Sequence, residues 1–512
     1  MREPQQEIGT IEAIKEEDVD PSVLKEVPLA FAKGNLVMPL RKEGEFLLAA
    51  VANGRGILAL RDLSRHFGLR PRPVRGTFEA VMDAINRFYG QIGSAEEVMG
   101  NITGEDLSSV ATEFEKPKDI LELTEEAPII RLLNAIMQQA VKERASDIHV
   151  EPYEKELEVR MRVDGILHRV LCPPKIIQDA LISRVKIMAN LDIGEKRLPQ
   201  DGRIRLLIGG RDIDIRVSIV PTAFGERAVL RLLDRKQGLI GLWQVGLSPG
   251  DEKKLEDLLQ RTNGILLVTG PTGSGKTTTL YAALNRIHTE EKNIITIEDP
   301  VEYQLKGIGQ IHVNPRIGLT FASGLRSILR QDPDVIMVGE IRDFETAEIA
   351  VKSALTGHLV LSTIHTNDAP STISRLLNMG IEPFLVSASV LLILAQRLSR
   401  KVCQQCKVEE DVPESVLLDL GFSKDEINTF KCFKGKGCSA CSGTGYKGRI
   451  ALYEVMPVKE EVKELILKGA STSEIKRTAV KLGMKTLRMS GLTKIKEGLT
   501  SIEEVLRVTF GD

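Results

Sequence analysis

The fold turns on one stretch, ILLVTGPTGSGKTTTLYAALNRIH, at residues 265–288. Residues 265–269 are apolar or β-branched and read as a short buried strand. Gly270, Pro271, Thr272, Gly273, Ser274, Gly275, Lys276, Thr277 and Thr278 follow, matching G-x-x-x-x-G-K-[ST] and its first flanking residue. Residues 277–288 then carry a helical pattern. Glycines let backbone N–H groups curl round phosphates, and the helix N-terminus adds a favourable dipole. In that reading Lys276 reaches the β- and γ-phosphates and Thr277 binds Mg²⁺. The alternative, an ordinary glycine turn, leaves the adjacent Lys-Thr pair unexplained.

Working outward, residues 294–297, 335–338 and 359–363 are further apolar strand candidates, alternating with helical stretches. That order predicts an α/β fold with a doubly wound parallel sheet. A helix is predicted over 344–356, with Asp343 as N-cap and Gly357 as the stop. Upstream, a helix from about residue 129 precedes strands of strict alternation. Ile213, Ile215, Val217 and Ile219 alternate there with Asp212, Asp214, Arg216 and Ser218. Half-buried strands in an α+β domain follow from that period of two. The organisation read from sequence is a small N-terminal domain at 1–105, an acidic linker at 106–128, and the α+β domain at 129–235. A connector at 236–250 leads to the nucleotide-binding domain at 251–512, with a cysteine-bearing insertion at about 400–447.

Composition narrows the function. The 512 residues hold 69 basic and 71 acidic side chains, and aromatics are 4% of the chain. Single-strand nucleic-acid binders use basic grooves and stacking aromatics, so no nucleic-acid partner is expected. The first 20 residues lack the apolar core of a signal peptide. The most apolar run, at 383–395, is too short to span a bilayer. A cytoplasmic chain is expected, with membrane contact only through partners. Cys403 and Cys406, then Cys438 and Cys441, form two C-x-x-C units. Four thiolates suit a closed, structural Zn²⁺ site, with a redox dithiol pair as the alternative. Cys172 and Cys432 read as ordinary thiols.

Carboxylates complete the pattern. Residues 334–340, DVIMVGE, place Glu340 just past a strand, where phosphate-loop enzymes hold a carboxylate near Mg²⁺ or the attacking water. Glu298, Asp299 and Glu302 crowd three acids into five residues. Such self-repulsion suits a bound cation, though a solvated acidic turn is the alternative.

From about residue 125 onward the chain resembles the ATPases of type II secretion and type IV pilus assembly. Four segments carry the resemblance: GPTGSGKTT at 270–278, IEDPVEY at 297–303, DPDVIMVGEIRD at 332–343 and TGHLVLSTIHTNDA at 356–369. They resemble the family's Walker A loop, aspartate box, Walker B segment and histidine box. The resemblance implies a RecA-like motor behind a PAS-like α+β domain, acting as a hexameric ring with ATP and Mg²⁺. It implies that Glu340 is the catalytic carboxylate, that Glu298, Asp299 and Glu302 line the Mg²⁺ and water side, and that His358 and His365 sense the γ-phosphate. Either histidine has the alternative of a hydrogen-bonded core residue. Arg216 and Arg231 match arginines of the preceding domain that reach the γ-phosphate, and Arg326 and Arg330 match a second pair inside the motor. By the same resemblance, the cysteine insertion points to the filament-assembly branch. Inner-membrane platform proteins are the implied partners of the N-terminal domain. The chain does not show the arginine-rich motif of a cyclic-dinucleotide module found in some pilus relatives, so type II secretion is the first reading and pilus extension the second. A nucleic-acid translocase and a nucleotide-binding scaffold without turnover are the remaining alternatives.

Overall fold

The structure, a computed structural model, describes residues 14–15, 18–89, 128–208, 211–234 and 240–510. The expected linker at 106–128 lies outside them except for Pro128. The chain divides into two compact units, Met1–Lys236 and Gln237–Asp512.

The first unit opens with a three-stranded sheet of β1 (Val37–Glu43), β2 (Phe46–Val51) and β3 (Arg70–Arg75). The helix Gly54–His66, capped by the Asn53 side chain, carries the chain from β2 to parallel β3. Period-two alternation sends Met38 and Leu40 to one buried cluster with Val81 and Ile85. Val37 and Leu47 go to another, with Leu60 and Leu63.

Next come the helix Pro128–Lys142 and six strands: β4 (Asp147–Pro152), β5 (Leu157–Val163), β6 (Ile166–Leu171), β7 (Gln200–Ile208), β8 (Arg211–Thr222) and β9 (Gly225–Asp234). They form one sheet in the order β6-β5-β4-β9-β8-β7, every neighbouring pair antiparallel. Ile213, Ile215, Val217 and Ile219 are buried, as the alternation predicts. They pack with Leu132 and Ile136 of the long helix. The opposite sheet face is charged.

The second unit is built on β10 (Gly264–Thr269), β11 (Ile294–Glu298), β12 (Gly309–His312), β13 (Val335–Val338), β14 (Leu359–Ile364), β15 (Val390–Val402) and β18 (Tyr446–Pro457). The sheet order is β12-β11-β13-β14-β10-β15-β18. All pairs are parallel except the last, β15 with β18. The near-continuous apolar runs suit strands covered on both faces. Val268 and Leu280 pack on one side, Val360 and Ile373 on the other. The helix Phe344–Leu355 begins and ends where its signals predict: the Asp343 side chain accepts the Thr346 N–H, and Gly357 has φ 110°. Two short strands, β16 (Lys407–Glu410) and β17 (Cys432–Gly435), form a hairpin within the cysteine insertion. The connector read at 236–250 is not a free tether where described. Leu242 and Val245 are buried in the motor core, and Tyr453 Oη donates to Val245 O at 3.0 Å.

Candidate nucleotide site and cysteine cluster

Parallel register brings the motif residues to one edge. Thr269 pairs with Ile364 and with Ala395, and Val338 pairs with Ser362 and with Ile297. The glycine loop, Asp299, Glu340 and His365 therefore all leave the sheet at its carboxyl edge, level with Gln396 inside β15, where open parallel sheets take ligands.

The loop is held open by backbone that only glycine adopts freely. Gly273 and Gly275 have φ of 79° and 91°. A Cβ on Gly270 would fall 2.4 Å from Gln396 O, and one on Gly275 2.8 Å from Gln396 Nε2. Gly275 is also the N-cap of the helix Lys276–Ile287 and supplies no side-chain cap. The first-turn N–H groups thus suit an anion. Pro271, Thr272 and Gly273 are exposed at the rim, Ser274 is buried, and Thr277 and Thr278 are half-buried. Lys276 folds back on its own loop, donating from Nζ to Gly270 O at 2.8 Å and Pro271 O at 3.0 Å. Burial lowers its pKa. Glu340 opposes that shift, and Arg397 adds to it. An anionic ligand would relieve this cation.

Glu340 is 14% exposed; one oxygen pairs with Arg342, and the other lies 3.3 Å from His365 Nε2. The Glu340 hydrogen bond raises the Arg342 pKa. Asp299 is exposed beside this pair, and its charge acts on Arg342 as well. Glu302 is half-buried, its N–H donating to Tyr281 Oη at 3.3 Å.

Glu298 departs from the expectation of a cation-facing acid. Its carboxylate is buried, and both oxygens are taken by neutral donors. Tyr281 binds one; Thr296 at 2.5 Å and Gln310 at 3.1 Å bind the other. The buried carboxylate also drives the Tyr281 phenol pKa up, after burial itself. Here Glu298 ties β11 to its neighbours. Tyr281 and Gln310, 17 residues before and 12 after it, were invisible in the sequence pattern.

The two histidines of one motif also part company. His358 precedes β14, with its carbonyl accepting the Gly264 N–H and Nδ1 lying 3.0 Å from Ser353 O. His365 follows the same strand. At about 3.3 Å per residue the pair sits roughly 20 Å apart, at opposite edges of the sheet. His358 cannot reach its own chain's phosphate loop.

Arg326 and Arg330 ride the outside of the helix Phe321–Ile328 and the turn after it. Arg326 pairs with Glu345, and Arg330 donates to Arg326 O at 3.0 Å and Ser327 Oγ at 3.2 Å. These bonds keep both on their own helix and its neighbour rather than on the loop.

In the α+β domain, Arg216 and Arg231 face each other across β8 and β9. Register extends the row to Arg203 on β7, Asp147 on β4 and Arg162 on β5. Like charges side by side are unfavourable. Buried Asp147 offsets this by accepting Arg231 Nε at 2.9 Å and lying 3.7 Å from Arg162.

The cysteine cluster is compact. Sγ atoms of Cys403 and Cys438, and of Cys406 and Cys441, are 3.8 Å apart, and those of Cys438 and Cys441 3.7 Å. Four sulfurs at 2.3 Å from a tetrahedral Zn²⁺ would stand about 3.8 Å from one another. A disulfide would instead bring two of them to roughly 2.05 Å. Cys438 N–H and Gly445 N–H donate to Cys441 Sγ, each at 3.2 Å. Cys432 is buried outside the cluster and Cys172 is exposed on the other unit.

Residues 122–507 match the family "Type II/IV secretion system protein", and residues 10–95 match "MshEN domain". The chain is 49% identical over 502 residues to a Myxococcus xanthus protein named "Type IV pilus assembly ATPase PilB", covering 98% of this chain and 88% of that one. It is 47% identical over 491 residues to a Pseudomonas aeruginosa protein named "Type II secretion system protein E", covering 95% and 96%. The Legionella pneumophila ATPase DotB has the same motor fold, with TM-score 0.56 and 21% identity over 77% of this chain and 98% of that one. The chain belongs to the type II/IV secretion ATPase family and is an ATPase. Among the described residues no helix is long and apolar enough to cross a membrane.

Proposed function

We propose that this chain is the ATP-hydrolysing motor of a type II secretion system, driving pseudopilus assembly and protein export from the cytoplasmic face of the inner membrane. The observation that carries it is the convergence of the glycine loop, Glu340 and His365 on one sheet edge, in a chain of this family. Lys276 leaves its loop carbonyls for the β- and γ-phosphates. Glu340 orients the attacking water and takes its proton as the γ-phosphoryl group departs. His365, beside Glu340, orients it or meets the γ-phosphate. The Thr277 hydroxyl would hold Mg²⁺, with Asp299 and Glu302 near its water ligands, and the ion would supply charge neutralisation of the phosphates. Arg216 and Arg231 supply positive charge when their domain closes on a nucleotide of the same or a neighbouring subunit in a ring, for which six subunits are the reading. Cys403, Cys406, Cys438 and Cys441 would hold Zn²⁺, which would tie the insertion together. The N-terminal domain docks on an inner-membrane platform protein, keeping the motor peripheral to that membrane.

Pilus extension is the second reading, favoured by the 49% identity to the protein named as a pilus assembly ATPase. A strain deleted for the gene and complemented with wild type or Lys276→Ala separates the two. Loss of secreted proteins from the medium with surface pili intact supports type II secretion. Loss of pili with secretion intact would reverse the order.

A further inference from the structure

We propose that Arg397 is a phosphate-binding residue of the chain's own nucleotide site, a role none of the four motifs assigns. The inference rests on reading the glycine loop as that site. Strand β15 lies parallel beside β10, with Thr269 opposite Ala395. Gln396 and Arg397 therefore come level with the first residues of the loop. Their side chains leave the strand in opposite directions, as successive residues do. Gln396 goes under the loop helix, where its Oε1 accepts the Thr279 hydroxyl at 2.8 Å.

Arg397 goes to the side of the segment after β14. Its Nη2 donates to Asn367 O at 2.9 Å and Asn367 Oδ1 at 3.3 Å, two residues beyond His365. Its Nη1 lies 3.5 Å from Gln396 O and 3.3 Å from where a Cβ on Gly270 would stand. The guanidinium is thus half-buried, anchored on one side and set against the mouth of the loop on the other. It is close enough to Lys276 for its charge to act on that ammonium, in the direction burial already drives it. Two cations brought together at an uncapped helix N-terminus repel one another until an anion joins them. A polyphosphate chain meets that need, and a planar guanidinium suits two phosphate oxygens at once.

A purely structural role, holding the Asn367 segment in place, makes different demands. It needs the fork on Asn367 but no charge toward the loop. The test measures ATP binding by the full-length protein with Arg397→Gln, Arg397→Lys, Asn367→Ala and Lys276→Ala, thermal unfolding confirming that each is folded. Charge-assisted contacts of this kind correspond to roughly a 10- to 100-fold change in Kd. Arg397→Gln is expected to weaken ATP binding by at least tenfold. Arg397→Lys keeps the charge but not the two-pronged contact, so it should recover only part of that loss, and Asn367→Ala should stay within threefold of wild type. Kd for Arg397→Gln within twofold of wild type, while Lys276→Ala loses binding, overturns the proposal and leaves the nucleotide site standing. Asn367→Ala reproducing the Arg397→Gln loss also overturns it. If Lys276→Ala binds ATP as wild type does, the site reading beneath the proposal fails instead.

Discussion

The two edges of the motor sheet carry residues of the same sequence motifs but offer different chemistry. At the carboxyl edge stand the glycine loop, Glu340 and His365, the last two 3.3 Å apart. At the amino edge His358 is tied to Ser353 O, beside the start of β10. The six residues of β14 separate the histidines, and that length is enough to remove one of them from the chain's own nucleotide. A residue at the amino edge acts on ATP only through another copy of the chain, or not at all. The comparison therefore divides the mutants by whether their effect needs assembly.

The largest effect is expected for Lys276→Ala, which removes the one ammonium held inside the loop. ATP affinity of the dilute chain should fall at least 100-fold by equilibrium binding, since a charged contact within a buried site is lost. Affinity close to wild type would break the assignment of the loop.

His365→Ala comes next. Its ring borders Glu340 rather than the loop, so turnover should fall roughly 10- to 100-fold while ATP affinity changes little. The loss should be the same at low and high protein concentration. His358→Ala sharpens the contrast. In dilute protein its ATP affinity should match wild type within about twofold, and any loss of turnover should emerge only as concentration drives assembly. An affinity defect in monomers, verified by light scattering, would contradict the separation of the edges.

A smaller and more local effect concerns the buried carboxylate of Glu504, which binds Arg400 near the end of β15. Burial alone would raise its pKa, but hydrogen bonds from Arg507 and Arg400 prevail and hold it at about 2. A folded pKa below the unfolded value near 4.5 contributes stability above pH 4.5, and loses it as pH falls toward 2. Glu504→Gln, which leaves Arg400 buried without its charge partner, should lower stability near neutral pH by roughly 3–5 kcal/mol. The gap to wild type should close between pH 4.5 and 2 in acid-unfolding curves. A gap that stays constant across that range would remove the ion pair from the account.

What the sequence disclosed follows the range of the interactions. The phosphate loop, the apolar strand before it and the three after it, the Asp343 cap and the paired cysteines are local patterns, and each was legible. Glu298 was not, because its donors Tyr281 and Gln310 come from a helix and an edge strand that only the folded sheet brings to it. His358 looked equivalent to His365 because a motif records order along the chain and not the edge of the sheet. Arg397 was hidden for another reason. The apolar run at 383–395 says only that it is too short for a membrane, and Arg397 lies inside β15, which continues to Val402, so no strand end marks it as Glu340 is marked. In the α+β domain, alternation identified the charged face of β8. The register that sets Arg203, Arg216 and Arg231 in one row with Asp147 needed the structure.

The most direct test of the central claim is Glu340→Gln, with ATP binding and single-turnover hydrolysis measured on the same protein. Glutamine keeps the shape and can still accept a hydrogen bond, but it cannot take a proton from water. The account predicts ATP affinity within about threefold of wild type and hydrolysis slower by roughly 10²- to 10⁴-fold, the range for a lost general base. Hydrolysis at the wild-type rate would contradict it.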